Sequence, residues 1–444
     1  MSGQDVQVAE VETPAHAPVS QKMTPGYRRL LIASSVGSAM EWYDFWCYAL
    51  IGPLVFGPMF FPKENPLVGT IAVFATFAIG FLARPIGGIF FGHFGDRIGR
   101  RSILMITLLL MGIGTALIGC LPGYAVLGIW APILLTSLRF IQGFALGGES
   151  MGALALVLEN SPTKNRGFFA SWMNAVGPAG IILAAGSTSL LTAVYGKAGF
   201  QGWAWRVPFI ASIVLVAIGL YMRSHIDESF LFHAAQKDKK IPRLPIGVVL
   251  RKWKAATAAG FFINLVHSSY AYLSTVFIIA YAAKNLGMPA AALTAGMLIA
   301  NVFKLFTVPL YAHLSDRIGR RPLMLAGMVV AALYLPVLFH LVALKSVFFF
   351  GLGIVISEAL VHAMMWAPEA AFTAELFPTE VRVSGSSLAK QLGVVFGGGI
   401  APLIATALMG HKTSFMPVNF YYWGVVVVSF IVILITPESR KRAL

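Results

Sequence analysis

Ten ionisable side chains stand inside long apolar runs of the sequence: Glu41, Asp44, Arg84, Arg139, Glu149, Lys304, Glu358, His362, Glu369 and Lys390. Groups of these types exchange protons and hold small ions. They do not amount to a hydrolytic or metal centre, because no nucleophile stands beside a base and no histidines or cysteines take metal-ligand spacing. Cys47 and Cys120 fall in separate apolar runs and read as packing residues. No catalytic residue, no metal and no enzyme activity are therefore expected. Each charge near the middle of a hydrocarbon layer costs roughly 3 kcal/mol, so a set of this size facing lipid would oppose insertion by tens of kcal/mol. Most must line an aqueous path or pair with one another.

Glu41 and Asp44, at i and i+3, share one helix face, and Arg139 is the basic residue of its own run at a comparable depth. An Asp44–Arg139 pair follows. Making and breaking it would change the proton affinity of Asp44, whereas a permanent pair would only tie two helices together. Glu41, then Glu149, are the other candidates for proton coupling. Glu358, His362 and Glu369, at i, i+4 and i+11, return to one helical stripe with Trp366 at its edge, which suits a role toward a substrate or a proton. Asn264, His267 and Ser274 make a second stripe that hydrogen bonding between helices explains; His267 is its substrate-facing candidate. Lys304, Lys390 and Arg139 supply positive charge for a carboxylate, unless the lysines serve to neutralise Glu358 and Glu369. Arg84, about two helical turns from the end of its run, is expected to snorkel outward as a structural residue.

Positioning these groups takes helices that cross a ~30 Å layer, about 20 residues each. Apolar runs qualify at 30–58, 67–91, 102–121, 129–158, 166–193, 205–222, 254–283, 289–312, 322–343, 346–373, 382–409 and 416–436. With 57% hydrophobic and 11% charged residues, the chain has more apolar surface than a soluble core could hide. The expected fold is an all-α membrane protein with twelve transmembrane helices in two pseudo-symmetric six-helix bundles. The net charge of +15 would suit a nucleic-acid partner, but the Lys and Arg residues cluster between apolar runs. Alternating the connections puts most of them on one side and only Lys63, Lys197, Arg206, Lys284, Lys345 and Lys412 on the other, so both termini are expected in the cytoplasm. The expected divisions are a cytoplasmic tail at 1–28 without a signal-peptide pattern, a first bundle at 29–223, a charged cytoplasmic linker at 224–252, a second bundle at 253–436 and a tail at 437–444.

The segment Gly92-His93-Phe94-Gly95-Asp96-Arg97-Ile98-Gly99-Arg100-Arg101 recurs as Ala312-His313-Leu314-Ser315-Asp316-Arg317-Ile318-Gly319-Arg320-Arg321. At nearly the same spacing, Glu159-Asn160-Ser161-Pro162-Thr163-Lys164-Asn165-Arg166 answers Glu375-Leu376-Phe377-Pro378-Thr379-Glu380-Val381-Arg382. Duplicated membrane halves point to a transporter. Asp96 and Asp316 stand where a carboxylate accepts backbone N–H groups from a neighbouring helix N-terminus. With Arg97, Arg101, Arg317, Arg321, Glu159, Arg166, Glu375 and Arg382 they are expected to form a cytoplasmic gate that breaks as the carrier opens inward.

The paired Asp-Arg-x-Gly-Arg-Arg segments resemble the signature of the major facilitator superfamily. Glu41-Trp42-Tyr43-Asp44-Phe45, Arg84-Pro85-Ile86-Gly87-Gly88, Arg139-Phe140-Ile141-Gln142-Gly143 and Gly147-Gly148-Glu149 are similar to its metabolite:proton symporter family, whose members carry shikimate, 2-oxoglutarate, citrate, and proline or betaine. The likeness extends over almost the whole chain, through Pro178-Ala179-Gly180, Glu375-Leu376-Phe377-Pro378 and Gly397-Gly398-Gly399. It implies proton-coupled symport of a small organic acid, such as shikimate or a di- or tricarboxylate, by alternating access. A zwitterion such as proline or betaine, or organic-anion antiport, are the alternatives; the glycine pattern of antiporters is fragmentary here, since Gly177-Pro178-Ala179-Gly180 is followed by Ile181-Ile182. The implied partners are a small-molecule substrate, protons and the lipid bilayer, with no nucleic acid and no cofactor beyond a proton gradient. The implied setting is a monomer crossing the cell inner (plasma) membrane many times.

Overall fold

The computed structural model describes residues 25–61, 66–226, 228, 232, 236–237, 242–409 and 414–440. Most of the expected N-terminal tail, Lys63, Lys412, the linker charges Asp227, Asp238, Lys239 and Lys240, and the last residues with Lys441 and Arg442 lie outside the described residues.

Among the described residues, twelve long helices carry the chain. In the first half they are α1 (Pro25–Ile51, prolonged by a π-helical turn at Gly52–Phe56 and by Gly57–Phe60), α2 (Pro66–Ile98), α3 (Arg100–Cys120), α4 (Trp130–Asn160), α5 (Arg166–Ala204) and α6 (Arg206–Ser224). In the second half they are α7 (Lys254–Asn285), α8 (Ala290–Ile318), α9 (Arg320–Ala343), α10 (Val347–Glu375), α11 (Thr379–Met409) and α12 (Met416–Ile435). No strand occurs among the described residues. Helices α3 to α12 are each long and apolar enough to cross a membrane, and α1 and α2 have 27 and 33 residues. In the linker, the helix Pro245–Lys252 buries Val249 and exposes Arg251 and Lys252. Cys47 is buried as expected, whereas Cys120 is exposed on the outer surface.

The repeated segments are helical further than the apolar runs suggested: α2 and α8 continue through Asp96 and Asp316 and stop at Ile98 and Ile318. Gly99 and Gly319 then take φ of 109° and 113°, a region open to glycine and strained for other residues, so the next helix starts at the following arginine. Both described chain ends lie on this motif face. Tyr27 at the start of α1 bonds Ser161 after α4 at 2.8 Å, and Ser439 after α12 bonds Glu375 at the end of α10 at 2.6 Å.

In lipid, helices gain little by burying apolar surface against each other, so association relies on close packing at small residues. A Cβ added at Gly143 of α4 would stand 1.9 Å from the Gly80 carbonyl of α2, and one at Gly147 would stand 2.1 Å from that of Arg84. The backbones of α2 and α4 therefore touch, and this contact fixes the height and rotation of Arg84. Helices α1 and α5 meet similarly at Gly180, 2.1 Å from the Ala39 carbonyl, and the symmetry-related α7 and α11 meet at Gly393 and Gly397. A cluster of small and aliphatic residues, including Ala153, Leu154 and Met151 of α4 and Ala370, Ala371 and Ala374 of α10, joins the halves near the motif face.

Gly143→Ala should cost about 1–3 kcal/mol through this backbone clash and lower the melting temperature of the purified protein by several degrees. Gly351→Ala, where a Cβ meets nothing within 4 Å, should leave it unchanged or raise it. Equal melting temperatures for the two variants would contradict the α2–α4 contact.

Candidate functional site

At the motif face, each half caps a helix of the other. Asp96, at the end of α2, accepts the N–H groups of Val383 (3.1 Å) and Ser384 (2.8 Å) at the start of α11. Asp316, at the end of α8, accepts those of Gly167 (2.9 Å) and Phe168 (2.7 Å) at the start of α5. A carboxylate at a helix N-terminus meets unsatisfied donors and the positive end of the helix dipole. Beside these caps, Glu159 accepts from Arg100 (3.1 Å) and Arg382 (2.6 Å), which spans the halves. Glu375 stands 3.8 Å from Arg166 and 3.5 Å from Arg320. Six of the expected gate residues are thus brought together: Asp96, Asp316, Glu159, Arg166, Glu375 and Arg382.

The other four are not. Arg97 and Arg317 are exposed, with Arg97 reaching only His93 at 3.4 Å. Arg101 donates to the Ser224 carbonyl at 2.5 Å, and Arg321 engages Glu438 through its backbone N–H. Their places are taken by Arg100 and Arg320, each at most 1% exposed. The first arginine after the left-handed glycine is turned inward, and the second points away. Glu228 and Glu438 were also not foreseen: they cap α3 and α9 by accepting the N–H groups of Arg101 (3.0 Å), and of Arg320 and Arg321 (3.0 Å each).

Between the halves lies a cavity of about 760 Å³, within the range of small-molecule sites. Trp42 of α1 and Trp366 of α10, whose rings meet edge to face at 6.0 Å, stand on its wall, and toward the motif face the lining continues to Ser34, Leu154, Ala370 and Arg223. Toward the far face its walls include Ala49, Val276 and Leu403, of which Val276 and Leu403 are exposed. At the motif face the caps at Asp96 and Asp316 and the Glu159–Arg382 bridge hold the halves together.

The second-half wall is charge-balanced. Lys304 of α8 donates to Glu358 of α10, and its Nζ lies 2.9 Å from His362 Nδ1, while Ser274 donates to the other Glu358 oxygen at 2.7 Å. His362 Nδ1 also lies 3.2 Å from the Glu358 carboxylate, so Lys304, Glu358 and His362 form one three-membered cluster, and His362 Nε2 has no partner among the described atoms. His267, His362 and Trp366 stack in a column with ring separations of 5.8 and 5.5 Å, and Lys304 lies 5.0 Å from the Trp366 ring centre. Lys390 of α11 stands 3.8 Å from the fully buried Glu369. Each lysine therefore stands at ion-pair distance from a glutamate. Asn264 bonds Thr373 across helices at 3.1 Å, as expected of its stripe.

In the first half the expected direct Asp44–Arg139 contact is replaced by a relay. Arg139 donates to Gln142 (2.8 Å), Gln142 to Thr115 (2.6 Å), and Thr115 to Asp44 (2.9 Å). The guanidinium also sits 3.5 Å from the Tyr48 ring centre. Asp44 and Arg139 line a side chamber of about 20 Å³, not the central cavity, so Arg139 is not placed beside the lysines. Glu149 lines the cavity but is tied to Arg223 at 2.6 Å, a residue the sequence suggested only as a topology signal. Glu41 lines the cavity and meets only the Ser150 hydroxyl, at 3.3 Å. Arg84, expected to snorkel outward, instead lines both the cavity and the chamber.

A chain of this architecture has known relatives. Residues 65–389 and 260–443 match the family profile described as Major Facilitator Superfamily. The chain belongs to the major facilitator superfamily. It is 36% identical over 418 residues to the shikimate transporter of Escherichia coli K12, covering 93% of this chain and 95% of that protein. It is 38% identical over 435 residues to the inner membrane metabolite transport protein YhjE of the same organism, covering 96% and 98%. The E. coli proline/betaine transporter is 33% identical over 427 residues, covering 94% and 85%. The solved structure of the proton:xylose symporter XylE bound to 6-bromo-6-deoxy-D-glucose shares the fold, with a TM-score of 0.73 at 18% identity over 93% of this chain and 96% of that one. This superfamily member is accordingly a membrane transporter of small molecules and not an enzyme.

Two outcomes follow from the ion pairs of this transporter. Arg100→Ala, which removes one of the two cations on Glu159 and the bond to the Thr379 carbonyl of the other half, should cost about 1.5–3 kcal/mol, whereas exposed Arg97→Ala should change stability by no more than about 0.5 kcal/mol; chemical denaturation of both variants checks the contrast. Lys304→Gln alone should destabilise by a similar few kcal/mol, and adding Glu358→Gln should recover most of the loss. A double variant no more stable than the single one would refute the charge-balancing role of Lys304.

Proposed function

We propose that this transporter takes up a small organic acid together with protons by alternating access across the inner membrane, with the motif face in the cytoplasm. The clustering of Lys and Arg on the motif side supports the orientation, and a relative named as an inner membrane protein supports the compartment. The proton gradient supplies the energy, no cofactor takes part, and a single chain contains the whole path. The observation that carries the reading is the separation of two polar sites: an amphipathic cavity sized for a metabolite, and an acid, Asp44, held apart in a small chamber on a hydrogen-bonded relay to Arg139.

In this arrangement Asp44 is the coupling acid. Thr115 and Gln142 transmit the guanidinium's hold on the carboxylate, and rotation of α4 or α1 against α3 would break that relay at Gln142–Thr115 or Thr115–Asp44, the two bonds that join different helices. The loaded carrier then releases the caps at Asp96 and Asp316 and the Glu159–Arg382 bridge, which opens the cavity toward the cytoplasm. A zwitterionic cargo is the second reading, supported by Trp42, Trp46 and Trp366 on the cavity wall, which offer faces to a quaternary ammonium, and by the proline/betaine relative.

Asp44→Asn should abolish uphill accumulation of labelled shikimate in proteoliposomes under an imposed proton gradient, while counterflow exchange survives because it needs no net proton movement. Full accumulation by Asp44→Asn would pass the role to Glu41. Accumulation of betaine with no carboxylate transported by the parent protein would establish the second reading instead.

A further inference from the structure

Arg84 is the exception in a cavity whose other cations are matched. Lys304 has Glu358, Lys390 has Glu369 and Arg223 has Glu149. Arg84 forms no ion pair or hydrogen bond with the described residues, and its buried Nε has no partner. Its guanidinium lies 4.4 Å from the Phe81 ring centre and 5.5 Å from that of Phe45. A guanidinium always carries charge, and its planar fork matches a carboxylate. Leaving one at membrane depth against two phenyl rings is costly unless something else uses it.

Its position suggests what does. Phe45, Phe81, Arg84 and Leu146 line both the central cavity and the chamber of Asp44 and Arg139, so they form the wall between them. The chamber's 20 Å³ is room for about one water molecule. Asp44 and Arg84 both line that chamber, so a water held there would stand beside the Asp44 carboxylate and the Arg84 side chain. Pro85 adds local freedom, because it removes the N–H that would serve the Phe81 carbonyl.

We propose that Arg84 is the anchor for the carboxylate of the transported acid and the shutter between cavity and side chamber: a bound carboxylate draws the guanidinium off Phe45 and Phe81, and a water proton then reaches Asp44. This rests on the organic-acid reading above and deepens it. Substrate and proton are thereby linked through one side chain: a hydronium ion entering from the cavity breaks one O–H bond and is left as water, and the O–H bond that forms is that of the Asp44 carboxyl. Glu41 faces the same space, near enough to act electrostatically on Arg84 and Lys390 though it forms no direct ion pair with either, and it disfavours a second anionic group beside the first.

The test pairs a variant with a modified ligand. Binding of shikimate and of its methyl ester is measured on the purified full-length protein with Arg84, Arg84→Gln and Arg84→Lys, each checked for an unchanged melting temperature. The parent should prefer the acid over the ester by on the order of a hundredfold. Arg84→Gln should bind both equally weakly, and Arg84→Lys should fall between, since it keeps the charge without the fork. Retained preference in Arg84→Gln overturns the anchor. A parent that binds neither compound, nor any acid of a labelled carboxylate panel, sinks the organic-acid reading and the anchor with it. Separately, proteoliposomes without substrate should pass protons several-fold faster with Arg84→Gln than with the parent, and adding Asp44→Asn should remove the excess; a parental proton conductance in Arg84→Gln overturns the shutter.

Discussion

A charge placed in hydrocarbon must find a counter-charge, a set of hydrogen bonds or water, and the second half of this transporter is organised by that requirement. Lys304 and Lys390 bring positive charge into the bilayer on α8 and α11, and each is answered by a glutamate of α10. The pairs hold three helices around one wall of the cavity. A buried pair contributes little net stability over an apolar one, but losing one partner costs several kcal/mol. The charges therefore constrain which helices stay adjacent more than they strengthen the fold.

The same rule operates differently at the motif face. There the carboxylates of Asp96 and Asp316 serve backbone N–H groups at the starts of α11 and α5, helices belonging to the opposite half. These donors lack intrahelical partners in any state, so water can replace the aspartates when the halves separate. Closure and opening can then stay close in free energy. Glu228 and Glu438 hold α3 and α9 within their own halves and need not break for the halves to separate.

Neutral wall and gate together leave the first half as the responsive part. Asp44 has a relay of hydroxyl and amide groups in place of a directly bound cation. Such a relay can be broken without separating two bare charges, and it lies behind a wall that includes Arg84. In the proposed symport, coupling thus falls on groups whose contacts are individually weak, while the strong ion pairs are kept for architecture.

The sequence by itself determined the twelve spans, the two halves and the list of charges needing a polar environment, because apolar run length, internal repetition and cost of burial are local properties. It also placed Asp96 and Asp316 at helix N-termini, Glu358 with His362, and Lys304 and Lys390 as possible neutralisers. Tertiary structure decided which arginine of each doublet turns inward, that Asp44 reaches Arg139 through Thr115 and Gln142, and that Arg84 faces the cavity instead of the membrane surface. The physical reason is the same in each case. Helical periodicity fixes which residues share a face, but the rotation and height of one helix against another are set by contacts distant in sequence, such as Gly143 on Gly80 and Gly147 on Arg84.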